Sequence, residues 1–172
     1  MSEIIESGEV RRLIGQMMAR FQNLRPVMDE IGDIAVMGVR GNFEAQGRPR
    51  WTAHRPVTTA KRGVGARILT DRGMAGGLMG SIHHRAFDNK VEVSTTKEYA
   101  AMQHFGARKG QFGTIAARIP AHTRGGHAVR AHTRQMQLPW GNVPARPFMH
   151  IVEADQAEMV RTLMEYLTGD EI

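Results

Sequence analysis

Apolar residues recur at steps of three and four from residue 9 to about residue 43. This period is typical of amphipathic helices, whose apolar face packs against a core. Pro26 suits the first turn of a helix, Asn23 precedes it as a possible cap, and Ser7 is placed to cap the start. We therefore predict two helices that meet near residues 24–26. Their stripes, which we expect to be core, are Val10, Leu13, Ile14, Met17, Met18 and Phe21, then Val27, Met28, Ile31, Ile34, Ala35 and Val39.

Alternating apolar and polar positions in the second half of the chain predict two β-hairpins. The first joins SIHHRAF to KVEVSTT through Asp88 and Asn89, which favour turns. The second joins residues 114–124 to residues 127–138 through Gly125 and Gly126, and it carries AHTR twice. A hairpin this long and polar does not suit burial of both faces in a small domain. We therefore expect it to project.

The remaining segments are predicted as connections and short helices. Residues 47–66 mix proline and glycine without a period, so we expect a loop, with Trp51 as its anchor. A short helix follows Asp71, weakened by its glycines, and YAAMQHFG forms a helical turn that Gly106 ends. A final helix carries a third apolar stripe, made of Ile151, Val152, Met159, Val160, Leu163, Met164 and Leu167.

Together these elements predict an α+β fold. It has N-terminal helices, a small antiparallel β-sheet with a long projecting β-hairpin at about residues 107–143, and a C-terminal helix. A length of 172 residues suits one compact domain, so we expect a single domain over residues 1–172.

Charge is distributed unevenly along the chain. The formal net charge is +6, yet residues 45–70 contain no Asp or Glu, and neither do residues 99–152. The second stretch, called the basic arm below, holds seven Arg or Lys residues and five histidines. The last twenty residues are acidic. The chain is thus polarised between a basic arm and an acidic end.

Cysteine is absent, which excludes disulfides, thiolate catalysis and cysteine-based zinc sites. The first 30 residues show neither the charge order nor the apolar run of a signal peptide, and no stretch reaches the roughly 20 apolar residues of a membrane span. We expect a soluble protein of the cytosol, without membrane contact.

Catalytic and metal-binding constellations do not stand out. Ser81 lies near His83 and His84, but adjacency alone does not make a catalytic triad. His122, His127 and His132 are five residues apart, which in a strand predicts opposite faces for successive histidines and argues against a shared metal. The glycine-rich GMAGGLMG lacks the Lys and Ser/Thr of a phosphate-binding loop. We expect no enzyme activity, no cofactor and no metal.

Three interpretations fit the basic arm. It is a solvated face, a nucleic-acid surface that neutralises phosphates, or a surface for an acidic neighbour such as the C-terminal helix of a second copy. Identical copies joined head to tail close into a ring when the rotation permits. The residues expected at the subunit or partner interface are Arg118, Arg124, Arg130, Arg134, Trp140 and Arg146 on the arm, with Glu153, Asp155 and Glu158 on the final helix.

Four stretches occur in a characteristic order over most of the chain. They are FEAQGRPRWTAHRPVTTAK at 43–61, ILTDRGMAGGLMGSI at 68–82, YAAMQHFG at 99–106 and VPARPFM at 143–149. In order and spacing they resemble the phage virion morphogenesis family, the tail-completion proteins of Mu-like and related tailed phages. The chain departs from the family pattern in three places. It has about three extra residues around 73–77, where Arg72 also replaces the usual Thr. Gln103 precedes His104 where relatives more often have His before Gln, and the hairpin is longer.

The resemblance implies a small α+β structural subunit of the neck, where a finished tail joins a DNA-filled head. Such proteins commonly form hexameric rings and bring no catalytic residues. The expected partners are further copies of the chain, neighbouring tail-tube or head-connector proteins, and packaged DNA in the lumen through non-specific contact. The expected location is the virion, with assembly in the host cytoplasm. Expected loop anchors are Trp51, Tyr99, Phe105 and Phe148. The alternative is a basic nucleic-acid-binding module.

Overall fold

The computed structural model describes residues 8–70 and 75–169. Within them the helices are α1 (Gly8–Phe21), α2 (Arg25–Glu44), α3 (Pro56–Arg62), α4 (Ala100–Phe105) and α5 (Glu153–Thr168), with one turn of 3-10 helix at Met79–Ser81. The strands are β1 (Ile82–Ala86), β2 (Val91–Thr95), β3 (Thr114–Ile119), β4 (His122–Arg124), β5 (His127–Val129) and β6 (His132–Gln137). They form antiparallel pairs β1–β2, β3–β6 and β4–β5. The predicted α+β class is confirmed.

The fold divides into two compact units. The helical unit comprises the described parts of residues 1–50, 54–97 and 148–172. The hairpin unit comprises residues 51–53 and 98–147. A single domain over the whole chain remains a prediction.

Helix α2 forms the centre of the helical unit. Its apolar face, including Val27, Val39 and Phe43, is buried and packs against β1, β2 and α5. The ring of Phe43 lies 5.4 Å from that of Phe148, between ring centroids. Pro26 lies in the first turn of α2 as predicted, but Leu24 is the cap residue and no side chain caps it, so the Asn23 prediction is wrong. The proposed cap Ser7 lies outside the described residues.

The expectation that the α1 stripe is core is wrong. None of the residues of α1, all of which are described, is buried, although the helix packs against α5. Val10, Ile14, Met18 and Phe21 are between 52% and 65% exposed. The stripe on α5 is likewise incomplete, because Val160 and Met164 are 61% and 53% exposed. Periodicity identified the apolar faces, but within residues 8–70 and 75–169 they stay largely exposed.

The β1–β2 hairpin has the predicted position and turn. Its register pairs Ile82 with Thr95 and Ala86 with Val91. At the open end of the hairpin the hydroxyl oxygens of Ser81 and Thr95 lie 2.6 Å apart and form a hydrogen bond. Ile82, 1% exposed, points its side chain into the core beside α2.

The hairpin unit contains α4, which Gly106 ends at a φ of 75° as predicted, and the long hairpin. A Cβ at position 106 would lie 2.7 Å from the Val143 carbonyl oxygen, so only glycine fits where residues 107 and 143 form a bridge. None of residues 108–138, all of which are described, is buried. The long hairpin that the sequence predicts is thus present and exposed, and its projection stays a prediction.

Two further predictions need correction. The predicted loop at residues 47–66 contains α3, because Pro56 occupies the first turn and Arg55 is extended before it, the arrangement that favours helix initiation. The helix predicted after Asp71 falls partly on residues 71–74, which lie outside the described residues; the following described segment contains the 3-10 turn at Met79–Ser81. In the described parts of the chain no helix is long and apolar enough to cross a membrane.

Candidate functional site

The long hairpin keeps one register from base to tip. Residues 114 and 137 face each other, as do 119 and 132, and the same pairing rule holds for 122 with 129 and 124 with 127. The ladder is interrupted at Pro120, which has no amide hydrogen to donate, but no residue is inserted there. Gly125 and Gly126 have φ values of 59° and 82°, as a two-residue type I′ turn requires.

This register sorts the side chains into two chemically different faces. Directly paired residues share a face and neighbours along a strand alternate. The first, which we call the cationic face, carries Arg118, His122, Arg124 and His127. The second, which we call the mixed face, carries Ile115, Ile119, Arg134 and Met136, and the continuous register assigns Arg130, which lies between the two ladders, to the same face.

The prediction that successive histidines alternate between faces is wrong for His122 and His127. The two-residue turn lies between them, and His127 pairs with Arg124, which shares a face with His122. A spacing of five residues inverts the face only within one strand, and the turn at Gly125 and Gly126, which the sequence also predicts, returns His127 to the side of His122. In the described chain no group of three or more His, Asp or Glu residues is arranged to hold a metal ion.

The predicted arginines Arg118, Arg124, Arg130 and Arg134 are all exposed. Among the described residues none of them forms an ion pair. The indole of Trp140 is 69% exposed near the hairpin base. The structure therefore divides one predicted cluster into Arg118 with Arg124 and Arg130 with Arg134, on opposite faces.

Arg146 does not lie on the surface, contrary to the prediction of an interface contact. It is 7% exposed, and its Nε and Nη2 both donate to the Thr52 carbonyl oxygen, at 3.3 and 3.2 Å. Its backbone N–H donates to the Gln103 carbonyl oxygen at 2.9 Å. Burial lowers the pKa of the guanidinium. Within the hairpin unit Arg146 ties residue 52 to the segment after the hairpin.

Two of the four predicted loop anchors are buried. Trp51 is 6% exposed and its Nε1 donates to the Pro147 carbonyl oxygen at 3.1 Å, while Phe148 is 1% exposed against Phe43. Tyr99 and Phe105 are 45% and 77% exposed, so they are not anchored in a core. The Phe105 ring instead meets the edge of His104, whose pKa is lowered by burial.

The start of α5 separates the three predicted acids. Glu153 and Glu158 are exposed. Asp155 is engaged within the helical unit: its Oδ2 accepts from Arg48 Nη2 at 3.1 Å and from the Val152 backbone N–H at 3.4 Å, which caps the helix. Only Glu153 and Glu158 of these three are thus open to a partner.

The sequence did not predict the buried polar network around Asn42. Asn42 is fully buried; its Nδ2 donates to the carbonyl oxygens of Phe148 and His150 at 2.7 and 2.6 Å, and its Oδ1 accepts from Arg48 Nε at 2.7 Å. The only local signal was a single asparagine near the end of an apolar helix face.

The β1–β2 hairpin holds two histidine contacts that invite a catalytic interpretation. Ser94 Oγ lies 3.0 Å from His83 Nε2, and His83 Nδ1 lies 3.0 Å from the Ser81 carbonyl oxygen. The next residue, His84, lies between Asp29 and Asp33, at 3.0 and 3.6 Å. Ser94 and His83 are exposed cross-strand partners, and the carboxylates contact the other histidine. The geometry is that of hairpin pairing.

Comparison with known proteins identifies the chain. A model of the phage virion morphogenesis family matches residues 5–168. The chain belongs to this family. It is also similar to the Mu-like prophage FluMu G protein 2 of Haemophilus influenzae, with 23% identity over 95% of this chain and 93% of that protein. No solved structure matches significantly.

Family membership gives the chain a role in phage virion morphogenesis and associates it with the virion. The stretches that carried the resemblance include the buried Phe43, Trp51 and Phe148. These residues stabilise the fold, whereas no side chain on the two hairpin faces is buried in a core. The exposed hairpin is therefore the candidate functional site.

Proposed function

We propose that this chain is a ring-forming structural subunit of the phage neck and tail-completion apparatus. In this proposal the ring finishes the tail and joins it to the head around the path of the DNA. Membership in the virion morphogenesis family and similarity to a Mu-like prophage protein support the proposal. The partners are further copies of the chain and neighbouring tail-tube or head-connector proteins. The subunit acts without catalysis.

The observation that carries the proposal is the division of the long hairpin into two exposed faces. The mixed face presents Ile115, Ile119 and Met136 beside two arginines. Ile115 is 46% exposed, which leaves apolar surface open on a strand pair that has no third strand or helix beside it in the described hairpin. Methionine and arginine are enriched at protein interfaces. The mixed face therefore binds a neighbouring subunit or an adjoining ring.

The cationic face suits a polyanion. Arg118, His122, Arg124 and His127 lie on this face, with the single valine Val129 opposite His122. Arginines placed in this way neutralise phosphates without reading sequence. In a ring this face lines the lumen and contacts packaged DNA non-specifically.

Reversing charge on one face at a time tests both assignments. Arg130→Glu with Arg134→Glu is expected to reduce the assembled mass in native mass spectrometry towards that of the monomer. Arg118→Glu with Arg124→Glu makes the same change in charge on the other face and is expected to preserve assembly while weakening DNA retention. Averaged particle images of the wild type should show a ring with a central opening. A strictly monomeric wild type, alone and with tail or head components, would overturn the proposal.

The basic nucleic-acid-binding module remains the second candidate, because the cationic face gathers two arginines and two histidines. Filter binding over a range of salt concentrations distinguishes the two. A DNA-conduit lining predicts weak binding that ignores sequence and falls steeply with salt. Tight, sequence-selective binding by the monomer at physiological salt would favour the module and contradict the ring proposal.

A further inference from the structure

Helices α1 and α5 each leave an apolar seam open to solvent. On α1, Val10, Ile14, Met17 and Phe21 follow alternating steps of four and three residues and are 54%, 52%, 38% and 65% exposed. On α5, Ala157, Val160 and Met164 follow steps of three and four and are exposed. This spacing is the one by which helices pack side by side along a seam.

The two helices already pack against each other within the helical unit, and in the described part of the chain their seams remain exposed. Between the two helices, Arg20 Nη1 of α1 donates to the Leu167 carbonyl oxygen of α5 at 3.5 Å. Exposed apolar side chains that recur along one face of a helix mark an interaction surface.

Charge decides which surface of a second copy fits the α1 seam. Arg11 and Arg12 stand beside the α1 seam and are exposed, so two copies of α1 would bring like charges together. On α5 the exposed Glu153 lies four residues before Ala157 and continues the line of the seam, while Arg161 beside Val160 is paired with Glu165 of the same helix at 3.4 Å. Opposite charge therefore favours α5 over another α1.

We infer that α1 of one copy packs on α5 of a second copy, seam against seam. The partner that covers the exposed α1 stripe is thus a second copy of the chain. This contact is separate from the hairpin, because Glu158, which suits the arginines of the mixed face, lies two residues from Val160 and so points to the opposite side of α5. The inference rests on the proposed function only in so far as both require self-association.

The absence of cysteine permits a direct test by site-specific cross-linking. Ile14→Cys and Val160→Cys proteins are prepared separately, mixed and oxidised. Since each chain then carries one thiol, a disulfide joins two copies. The mixture is expected to give the heterodimer at several times the yield of either single-cysteine protein oxidised alone. Predominant Ile14→Cys homodimer, or no cross-link, would overturn the inference.

A charge variant provides the second test. Ile14→Glu is expected to lower the self-association constant at least tenfold in analytical ultracentrifugation, because a carboxylate would enter the seam. Met37→Glu, at a 69% exposed position on α2, is the matched control and should leave association unchanged. Circular dichroism of both variants checks that the fold is retained. An Ile14→Glu protein that assembles like the wild type would overturn the inference and leave the ring standing, whereas a monomeric wild type would remove both.

Discussion

The amide of Asn42 joins the end of α2 to the segment before α5, 106 and 108 positions away in the sequence. It is fully buried, donates to two backbone carbonyls and accepts from Arg48. Asn42→Ala leaves these groups unpaired inside the protein, and each such loss costs about 1–3 kcal/mol. We expect the free energy of unfolding in urea to fall by roughly 2–4 kcal/mol.

The matched control is Gln156→Ala, which removes an exposed amide at the start of α5. Its expected effect is within about 0.5 kcal/mol. Equal losses from both substitutions would show that the Asn42 network does not stabilise the fold.

Three glycines in helices give a second residue-scale prediction. A Cβ at Gly32 would overlap the His84 ring, and one at Gly38 would lie 2.5 Å from Asp155 Oδ2, whereas Gly15 has no atom within 4 Å. Gly32→Ala and Gly38→Ala are expected to destabilise by about 1–3 kcal/mol through overpacking. Gly15→Ala is expected to stabilise by up to about 1 kcal/mol, because alanine favours helix. The melting temperatures of the three variants show whether each substitution stabilises or destabilises. A Gly32→Ala protein that melts above the wild type would contradict the close contact between Gly32 and His84.

The turn of the long hairpin sets an element-scale prediction. Gly125 and Gly126 both have positive φ, which Asn tolerates and Ala does not. Gly125→Ala is expected to speed amide hydrogen exchange in β4 and β5, while Gly125→Asn keeps wild-type exchange. Uniform exchange rates in all three proteins would mean that the turn does not hold the register.

The sequence predicted elements better than it predicted their partners. The Gly–Gly turn, the hairpin ending at Thr95 and the helix starting near Pro26 follow from local chemistry, and all three are present. Arg146 and the α1 stripe were misjudged, because burial depends on which distant segment covers a side chain. The carbonyl of Thr52 lies 94 positions from Arg146, and no local pattern encodes that distance. Local periodicity likewise does not say what covers an apolar helix face.

At the scale of the whole molecule, the hairpin is separable from what stabilises the fold. None of the described residues 108–138 is buried, and the Leu138 amide donates to the Gly113 carbonyl oxygen at 2.8 Å, so a two-residue Asn-Gly link spans the cut ends. Replacing residues 114–137 by this link is expected to leave the melting temperature within about 3 °C of the wild type, since no core contact is lost. The same variant is expected to lose assembled mass in native mass spectrometry.

A large fall in melting temperature would show instead that the hairpin supports the fold. Retained assembly in a stable deletion variant would assign the subunit contact elsewhere, with the α1 and α5 seams as the remaining surface.

The interruption at Pro120 gives the hairpin a joint. Bending there breaks no ladder hydrogen bond, since the strands β3 and β4 are already separate, as are β5 and β6. The register is the same on both sides, so a change of angle redirects the tip without changing which residues face each other. His122 stays opposite Val129 and Arg124 opposite His127 at any angle. In the proposed ring, copies of the hairpin bent by different angles would therefore reach different surfaces with the same side chains exposed.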